Sequence, residues 1–169
     1  MSVPSTNVHE RLRWLVPSAL VWFAADQATK AWLKQALTPG VELTALNGAI
    51  LVTPVNNPGA FLSIGAGLDD HARGLVFTVG VALVLAALLA WSLRAKSLSR
   101  MELLGAGSFL GGGLGNLLDR LVQGGTVFDF LNLGIGSVRT GIFNVADVGL
   151  MVGVALFVVG GLLGGQRRT

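Results

Sequence analysis

Residues 74–93 read GLVFTVGVALVLAALLAWSL, twenty consecutive residues without a charge. An α-helix of about 20 apolar residues spans the hydrocarbon of a bilayer. This stretch therefore predicts a membrane-spanning helix, and three neighbours follow the same rule. Leu103–Leu118 is bounded by Glu102 and Asp119. Ile142–Leu163 is interrupted only around Asn144 and Asp147. Trp14–Leu37 is apolar to Ala25, then reads Asp26-Gln27-Ala28-Thr29-Lys30. Arg11 and Arg13 before it would suit a cleaved leader. No Ala-x-Ala site follows, however, and Asp26 to Lys30 continues as helix, so the span is read as retained.

Composition agrees. Of 169 residues, 52% are hydrophobic and only 12% are charged, whereas soluble domains carry roughly 25% charged residues. This argues against a water-soluble enzyme and excludes a disordered chain. The 24 glycines follow no Gly-X-Y period, which excludes collagen. With no cysteine there is no disulfide, thiolate metal site or cysteine nucleophile. The net charge of +3 comes from basic residues flanking the spans. No basic run interleaves with aromatics, so nucleic acid is not an expected partner.

Four spans put both termini on one side. Segments 1–13, 94–102 and 164–169 hold Arg11, Arg13, Arg94, Lys96, Arg100, Arg167 and Arg168 against Glu10 and Glu102. Lys and Arg stay inside, so both termini are expected in the cytoplasm. Trp14, Trp32 and Trp91 fall at span ends, where indoles favour the interface. Outside, Asn47-Gly48 separates the β-prone runs Val41–Leu46 and Ala49–Thr53, a hairpin signal. Pro54, Pro58, Gly59, Gly65 and Gly67 are expected to end the strands and form a loop. The expected fold is an all-α polytopic membrane protein of four transmembrane helices, with a small β hairpin or sheet on the outer, periplasmic side. Gly107, Gly111 and Gly115, then Gly149 and Gly153, recur every fourth residue. This is read as helix packing rather than ligand approach. No glycine after a strand opens a helix with Lys-Ser/Thr, so no phosphate loop is present.

Ionisable groups inside a membrane are costly, which makes each a functional candidate. Asp26, Asp119, Asp129 and Asp147 stand in apolar surroundings, whereas Asp69 and Asp70 share a polar, solvated loop with His71 and Arg73. Asp26 and Lys30 share a helix face. They form either a local ion pair, with Lys30 reaching for the interface, or part of a site. Asp119 adjoins Arg120 and follows Asn116 by three, which reads as a polar knot holding a helix end. Asp129 lies in Val127-Phe128-Asp129-Phe130-Leu131 with no cation nearby in sequence. Desolvation there raises a carboxyl pKa. Asp147 lies about one and a half turns into the last span and follows Asn144 by three. Two carboxylates sharing a site share one proton, so one can act as base on water while the other polarises a carbonyl. That is aspartic-protease chemistry. Spacing alone does not choose between Asp129 with Asp147 and Asp119 with Asp147. Other hydrolytic chemistries lack parts. His9 and His71 lie outside the spans and no His-Glu-x-x-His occurs, which argues against a zinc hydrolase. There is no Gly-x-Ser-x-Gly elbow, and neither Ser63 nor Ser108 has a lysine near in sequence.

Five segments resemble, in order, the lipoprotein signal peptidase family, bacterial signal peptidase II. They are Asp26-Gln27-Ala28-Thr29-Lys30, Asn57-Pro58-Gly59-Ala60-Phe61, Gly115-Asn116-Leu117-Leu118-Asp119-Arg120, Val127-Phe128-Asp129-Phe130 and Phe143-Asn144-Val145-Ala146-Asp147. The resemblance implies a single membrane-embedded peptidase domain over 1–169, with spans at about 14–37, 74–93, 103–120 and 142–163. It implies Asp129 and Asp147 as the catalytic pair. Asp26, Lys30, Asn57, Gly59, Asn116, Asp119, Arg120 and Asn144 would be the substrate-binding or supporting shell. It implies an endopeptidase of the bacterial inner membrane that removes signal peptides from diacylglyceryl-modified prolipoproteins, cutting immediately before the lipidated cysteine. Its site would lie near the outer face, with the 130–141 loop helping to clamp substrate. No metal or cofactor is expected; the expected partners are lipid-modified prolipoproteins and membrane lipid, the chain is expected to be a monomer, and the cyclic peptide globomycin is an expected inhibitor. Two departures touch the groove: Ala60 is followed directly by Phe61, and Phe128 replaces a residue that is often smaller in the family. The competing expectation is a proton-coupled small membrane transporter, which also uses intramembrane acids. It would more often show internal repeats, and none is evident here.

Overall fold

The computed structural model describes residues 7–37, 41–59 and 69–166. Gly65, Gly67, Ser63 and the Ala60-Phe61 departure lie outside them. Four long helices form: α1 (Val8–Ala36), α2 (Asp70–Arg94), α3 (Arg100–Val122) and α4 (Val145–Gln166). Their starts are encoded locally. The Asn7 side chain caps α1 and the Asp69 side chain caps α2. Ser99 and Glu102 form a reciprocal capping box at α3. Asp69 is therefore a helix cap rather than part of a free loop. Two stretches, Gly74–Arg94 and Val145–Gly164, are long and apolar enough to cross a membrane. In α1 and α3 the apolar runs are broken by charged residues that the fold buries.

Helix α3 is the hub and touches all three other helices. Its glycines explain how. A Cβ at Gly107 would lie 2.5 Å from the Leu15 carbonyl oxygen, and one at Gly111 2.2 Å from that of Ala19, both on α1. A Cβ at Gly112 would lie 2.3 Å from the Ala146 oxygen on α4. These are backbone-to-backbone approaches, as the packing reading expects. Leu15, Leu85, Ala106 and Leu110 fill the space where α1, α2 and α3 meet.

At the end of the bundle formed by the α1 and α3 C-termini lies an antiparallel sheet, ordered β1 (Leu43–Ala45), β2 (Ile50–Asn57), β3 (Val127–Ile135) and β4 (Val138–Arg139). The Asn47-Gly48 hairpin forms as expected, with Leu46, Asn47 and Gly48 all at positive φ. Three expectations are corrected. Pro54 does not end β2; the strand runs through it, with a register shift between Val52 and Val55. Proline has no N–H to place in a ladder, and an irregularity is where the ladder spares one. The 130–141 segment is not a loop: most of it is β3 and β4, and β3 pairs with β2. Finally, α4 begins at Val145, so Asp147 sits in its first turn rather than deeper. Phe143 before it is extended and bridges Leu131. Leu33, Phe128 and Phe130 pack together and seat the sheet on α1.

Gly111→Val should lower stability by about 1–3 kcal/mol, because the added carbons meet backbone that cannot move aside. Gly80→Ala, with nothing within 4 Å of its Cβ, should be neutral or slightly stabilising. Thermal unfolding in detergent compares them; equal losses would contradict this account of α3 packing.

Candidate active site

The ten residues singled out in the sequence converge where the sheet meets the helix ends. They arrive from α1, the end of β2, the last turns of α3, the start of β3 and the start of α4. The charges pair first. Lys30 Nζ lies 2.8 Å from Asp26 Oδ2 and 2.7 Å from Asp119 Oδ2, and donates to Asn116 Oδ1 at 3.3 Å. Its three donors are all used. Lys30 is buried at 2% exposure and Asp26 at 0%. Lys30 therefore does not reach for the interface as a simple local pair would; it bridges α1 to α3. Asp119 is held by Lys30 and by the Phe128 N–H at 3.0 Å, not by Arg120. The expected Asp119–Arg120 knot is replaced by this contact because Arg120 turns away and donates to the Asn116 carbonyl at 3.3 Å.

Both arms of this charged group extend to the other two acids. Asp26 Oδ1 accepts the Ala146 N–H at 2.9 Å, which fixes the start of α4. Gly115 makes room, since a Cβ there would lie 2.5 Å from Asp26 Oδ2. Asn144 and Asp147 bond reciprocally across the first turn of α4. Asp147 N–H donates to Asn144 Oδ1 at 3.0 Å, and Asn144 N–H donates to Asp147 Oδ2 at 3.1 Å. This has the capping-box pattern, with the acid at its third position.

Asp129 and Asp147 are then surrounded by amides. Asp129 Oδ1 accepts from Asn144 Nδ2 at 2.6 Å and its Oδ2 from Asn57 Nδ2 at 2.8 Å. Asp147 Oδ1 accepts from Asn116 Nδ2 at 2.8 Å. Asn144 thus joins the two carboxylates, one through its side chain and one through its backbone. Asn57 is aimed by Gly59, whose N–H donates to Asn57 Oδ1 at 2.9 Å. Gly59 has φ +86, and a Cβ there would lie 3.3 Å from Phe77 and 3.5 Å from Arg120 Nη2. A side chain at this position would be strained and crowded. Arg120 Nε is buried without a hydrogen-bond partner among the described residues. Its guanidinium lies within electrostatic reach of Asp147, Asp129 and Asp119 without a direct ion pair to any of them among the described residues. Burial is the main cause that pushes the Asp129 carboxyl up from 3.8 to about 6; the charge of Asp147 adds to it, while the Asn57 and Asn144 bonds oppose it.

The four acids therefore fall into two kinds. Asp26 and Asp119 contact a cation. Among the described residues, Asp129 and Asp147 accept hydrogen bonds only from amide donors, which leaves lone pairs for a water. Gly115 and the Ala146 N–H were not legible as site residues. Gly115 belongs to the every-fourth-residue stripe, and nothing in sequence says its neighbour is a carboxylate.

Residues 18–163 match the profile of the family described as signal peptidase (SPase) II. The chain belongs to that family. A lipoprotein signal peptidase of Nostoc punctiforme is 37% identical over 153 residues, covering 90% of each chain. One of Gloeobacter violaceus is 32% identical over 154 residues, covering 91% of this chain and 84% of that one. Two solved bacterial membrane enzymes share the fold at 24% identity. One has TM-score 0.71, covering 85% of this chain and 89% of that one; the other has TM-score 0.74, covering 91% and 90%. Membership of this family makes the chain a protease, and no observation favours a transporter.

The Asp129 value sets a pH dependence of stability. Between about pH 4 and 6 the folded state holds a proton that the unfolded state has released, so stability falls as pH rises through that window. In Asp129→Asn this fall should flatten, and the variant should be no less stable than wild type at pH 7. Thermal unfolding of both proteins from pH 4 to 8 checks it; parallel curves would contradict it.

Proposed function

We propose that this chain is a single-domain aspartic endopeptidase, embedded in the bacterial inner membrane by four spans, that removes signal peptides from diacylglyceryl-modified prolipoproteins. The cut falls immediately before the lipidated cysteine. The observation that carries this reading is the sorting of the acids: Lys30 engages Asp26 and Asp119, leaving Asp129 and Asp147 as an amide-framed pair joined by Asn144.

Four spans, with both termini in the cytoplasm, fit the basic residues gathered at one end of the helices. They put the sheet and the acid pair at the outer interface. The acyl chains of a lipidated cysteine hold its peptide bond at that depth, so substrate need not leave the bilayer. A water between the carboxylates loses a proton to one of them and attacks the carbonyl carbon. The other, protonated, donates a hydrogen bond to the carbonyl oxygen as it becomes an oxyanion. Collapse of the tetrahedral intermediate breaks the C–N bond, and the departing amine of the cysteine takes a proton from the pair. Asn144 and Asn116 fix both carboxylates before substrate arrives, so little reorganisation accompanies the reaction. Arg120 opposes accumulation of negative charge. Monomeric action and the absence of a cofactor complete the reading.

Asp129→Asn and Asp147→Asn should each abolish single-turnover cleavage of a diacylglyceryl-cysteine peptide while the protein stays folded and binds that peptide. A rate near wild type from either would remove that residue from the chemistry. The kcat/KM profile should be bell-shaped, with one limb near the pH 6 at which Asp129 releases its proton. The two apparent values belong to the pair. Chelators should leave the rate unchanged. Reporter fusions at residue 97 and at the C-terminus should give cytoplasmic signals, and one at residue 69 an outer signal; the reverse at 69 would break the four-span topology.

A further inference from the structure

The bond from Asn57 Nδ2 to Asp129 Oδ2 exists only while the Asn57 amide points one way. Asn57 closes β2, diagonal to Asp129 on the sheet face the two share. Its other end is held by a turn: the Gly59 N–H donates to Asn57 Oδ1 at 2.9 Å, which leaves Nδ2 for the carboxylate. That turn is only as fixed as Gly59, which stands beyond the last paired residue of β2 at φ +86. Helix α2 meets it there. The atoms nearest a Cβ placed at Gly59 are Phe77 Cδ2 at 3.3 Å and Phe77 Cγ at 3.5 Å, with Arg120 Nη2 also at 3.5 Å. The ring has a firm base. One turn earlier on α2, Gly74 abuts Gly125, whose Cβ would lie 2.8 Å from the Gly74 Cα. The Gly125 N–H in turn donates to the Arg120 carbonyl at 2.8 Å. The start of α2 is thus seated on the end of α3, and Phe77 extends from that seat to Gly59.

We propose that Phe77 is a positioning residue for the peptidase reaction: its ring closes on the Gly59 turn, keeps the Gly59 N–H on Asn57, and so aims the Asn57 amide at Asp129. This rests on the reading of Asp129 as catalytic. Phe77 lies outside all five segments that resemble the family, and one phenylalanine in an apolar run carries no signal of a site. A side chain locked by packing can set the geometry of a reacting group it never touches. Phe77→Ala removes both ring atoms nearest Gly59. The turn is then held from β2 alone, the Asn57 amide rotates, and Asp129 loses a donor that favours its charged form. Its proton release then moves upward from about 6. The charges around Asp129 are Asp147 on α4, Lys30 on α1 and Arg120 on α3, with Asp119 of α3 bonded to the Phe128 N–H. Replacing Phe77 removes none of them.

Asn57→Ala, Phe77→Ala and the double variant are compared in single-turnover cleavage of a diacylglyceryl-cysteine peptide across pH. Each single replacement should lower the saturating rate about tenfold to a hundredfold. Each should also move the limb near pH 6 upward and leave half-saturation by the peptide unchanged. The double variant should match Asn57→Ala, because Phe77 acts through Asn57. Phe77→Val, which lacks the Cδ2 contact but keeps apolar bulk on α2, should behave as Phe77→Ala does. Phe77→Leu, which keeps a branched Cγ at the contact, should recover most of the rate and the position of the limb. Leu85→Ala, in the core where α1, α2 and α3 meet, should lower the melting temperature with the limb in place, which separates aim from stability. Losses that multiply in the double variant, or half-saturation that rises in Phe77→Ala alone, would make Phe77 a substrate contact and overturn the proposal. A limb that moves downward would make the ring a barrier to water, with the same consequence. If Phe77→Ala and Phe77→Val cleave as wild type while Asp129→Asn is inactive, the positioning role fails and the catalytic reading stands. If Asp129→Asn itself cleaves, the catalytic reading fails and takes the positioning role with it.

Discussion

One buried ammonium organises this protein. Lys30 lies between Asp26 and Asp119 on two helices, and each of those carboxylates also holds a backbone N–H of a third or fourth element. Through Asp26 the charge fixes the first turn of α4. Through Asp119 it fixes the first residues of β3. The two acids proposed for chemistry ride on those two segments. Losing one partner from such a buried group costs about 3–5 kcal/mol, because a charge is left uncompensated. The same group fixes the relative placement of Asp129 and Asp147 without touching either.

Electrostatic separation follows. A cation in contact with Asp129 or Asp147 would favour its charged form and oppose the sharing of a proton. Amides orient a carboxylate without supplying a full charge. Four acids placed together would repel one another; the lysine neutralises part of that charge, and Arg120 answers the rest at longer range. The glycines of α3 serve the same arrangement, since at Gly107, Gly111 and Gly112 the missing side chains let α3 meet the backbones of α1 and α4.

Much of this was legible in the sequence. Apolar runs located the four helices, and Asn47-Gly48 located the first hairpin. The second pair of strands was not legible, because Val127 to Phe130 are buried on both faces and show no clear alternation. Pro54 misled, since a strand irregularity tolerates what a regular ladder does not. The four acids and Lys30 were found because charge in an apolar setting is conspicuous, whereas Asn57 and Gly59 came only from the family resemblance. Their partners were not, because Lys30 with Asp119, Asn57 with Asp129 and Asn116 with Asp147 each join elements that only the tertiary fold brings together. The adjacency of Asp119 and Arg120 suggested a pair that the fold does not make. Family resemblance supplied the choice of Asp129 over Asp119; the hydrogen bonds supply a physical reason for it.

The central claim is that Asp26, Lys30 and Asp119 hold the site while Asp129 and Asp147 act. A triple replacement, Asp26→Asn, Lys30→Met and Asp119→Asn, removes all three charges while keeping an oxygen to accept the Ala146 and Phe128 N–H groups. Replacing a buried ionic group as a unit is far less costly than removing one member. Single-turnover cleavage of a diacylglyceryl-cysteine peptide, read alongside the melting temperature, decides the matter. The account predicts a folded triple variant that still cleaves. A triple variant that melts with wild type yet shows no cleavage would contradict it, and would move the charged triad from the frame into the chemistry.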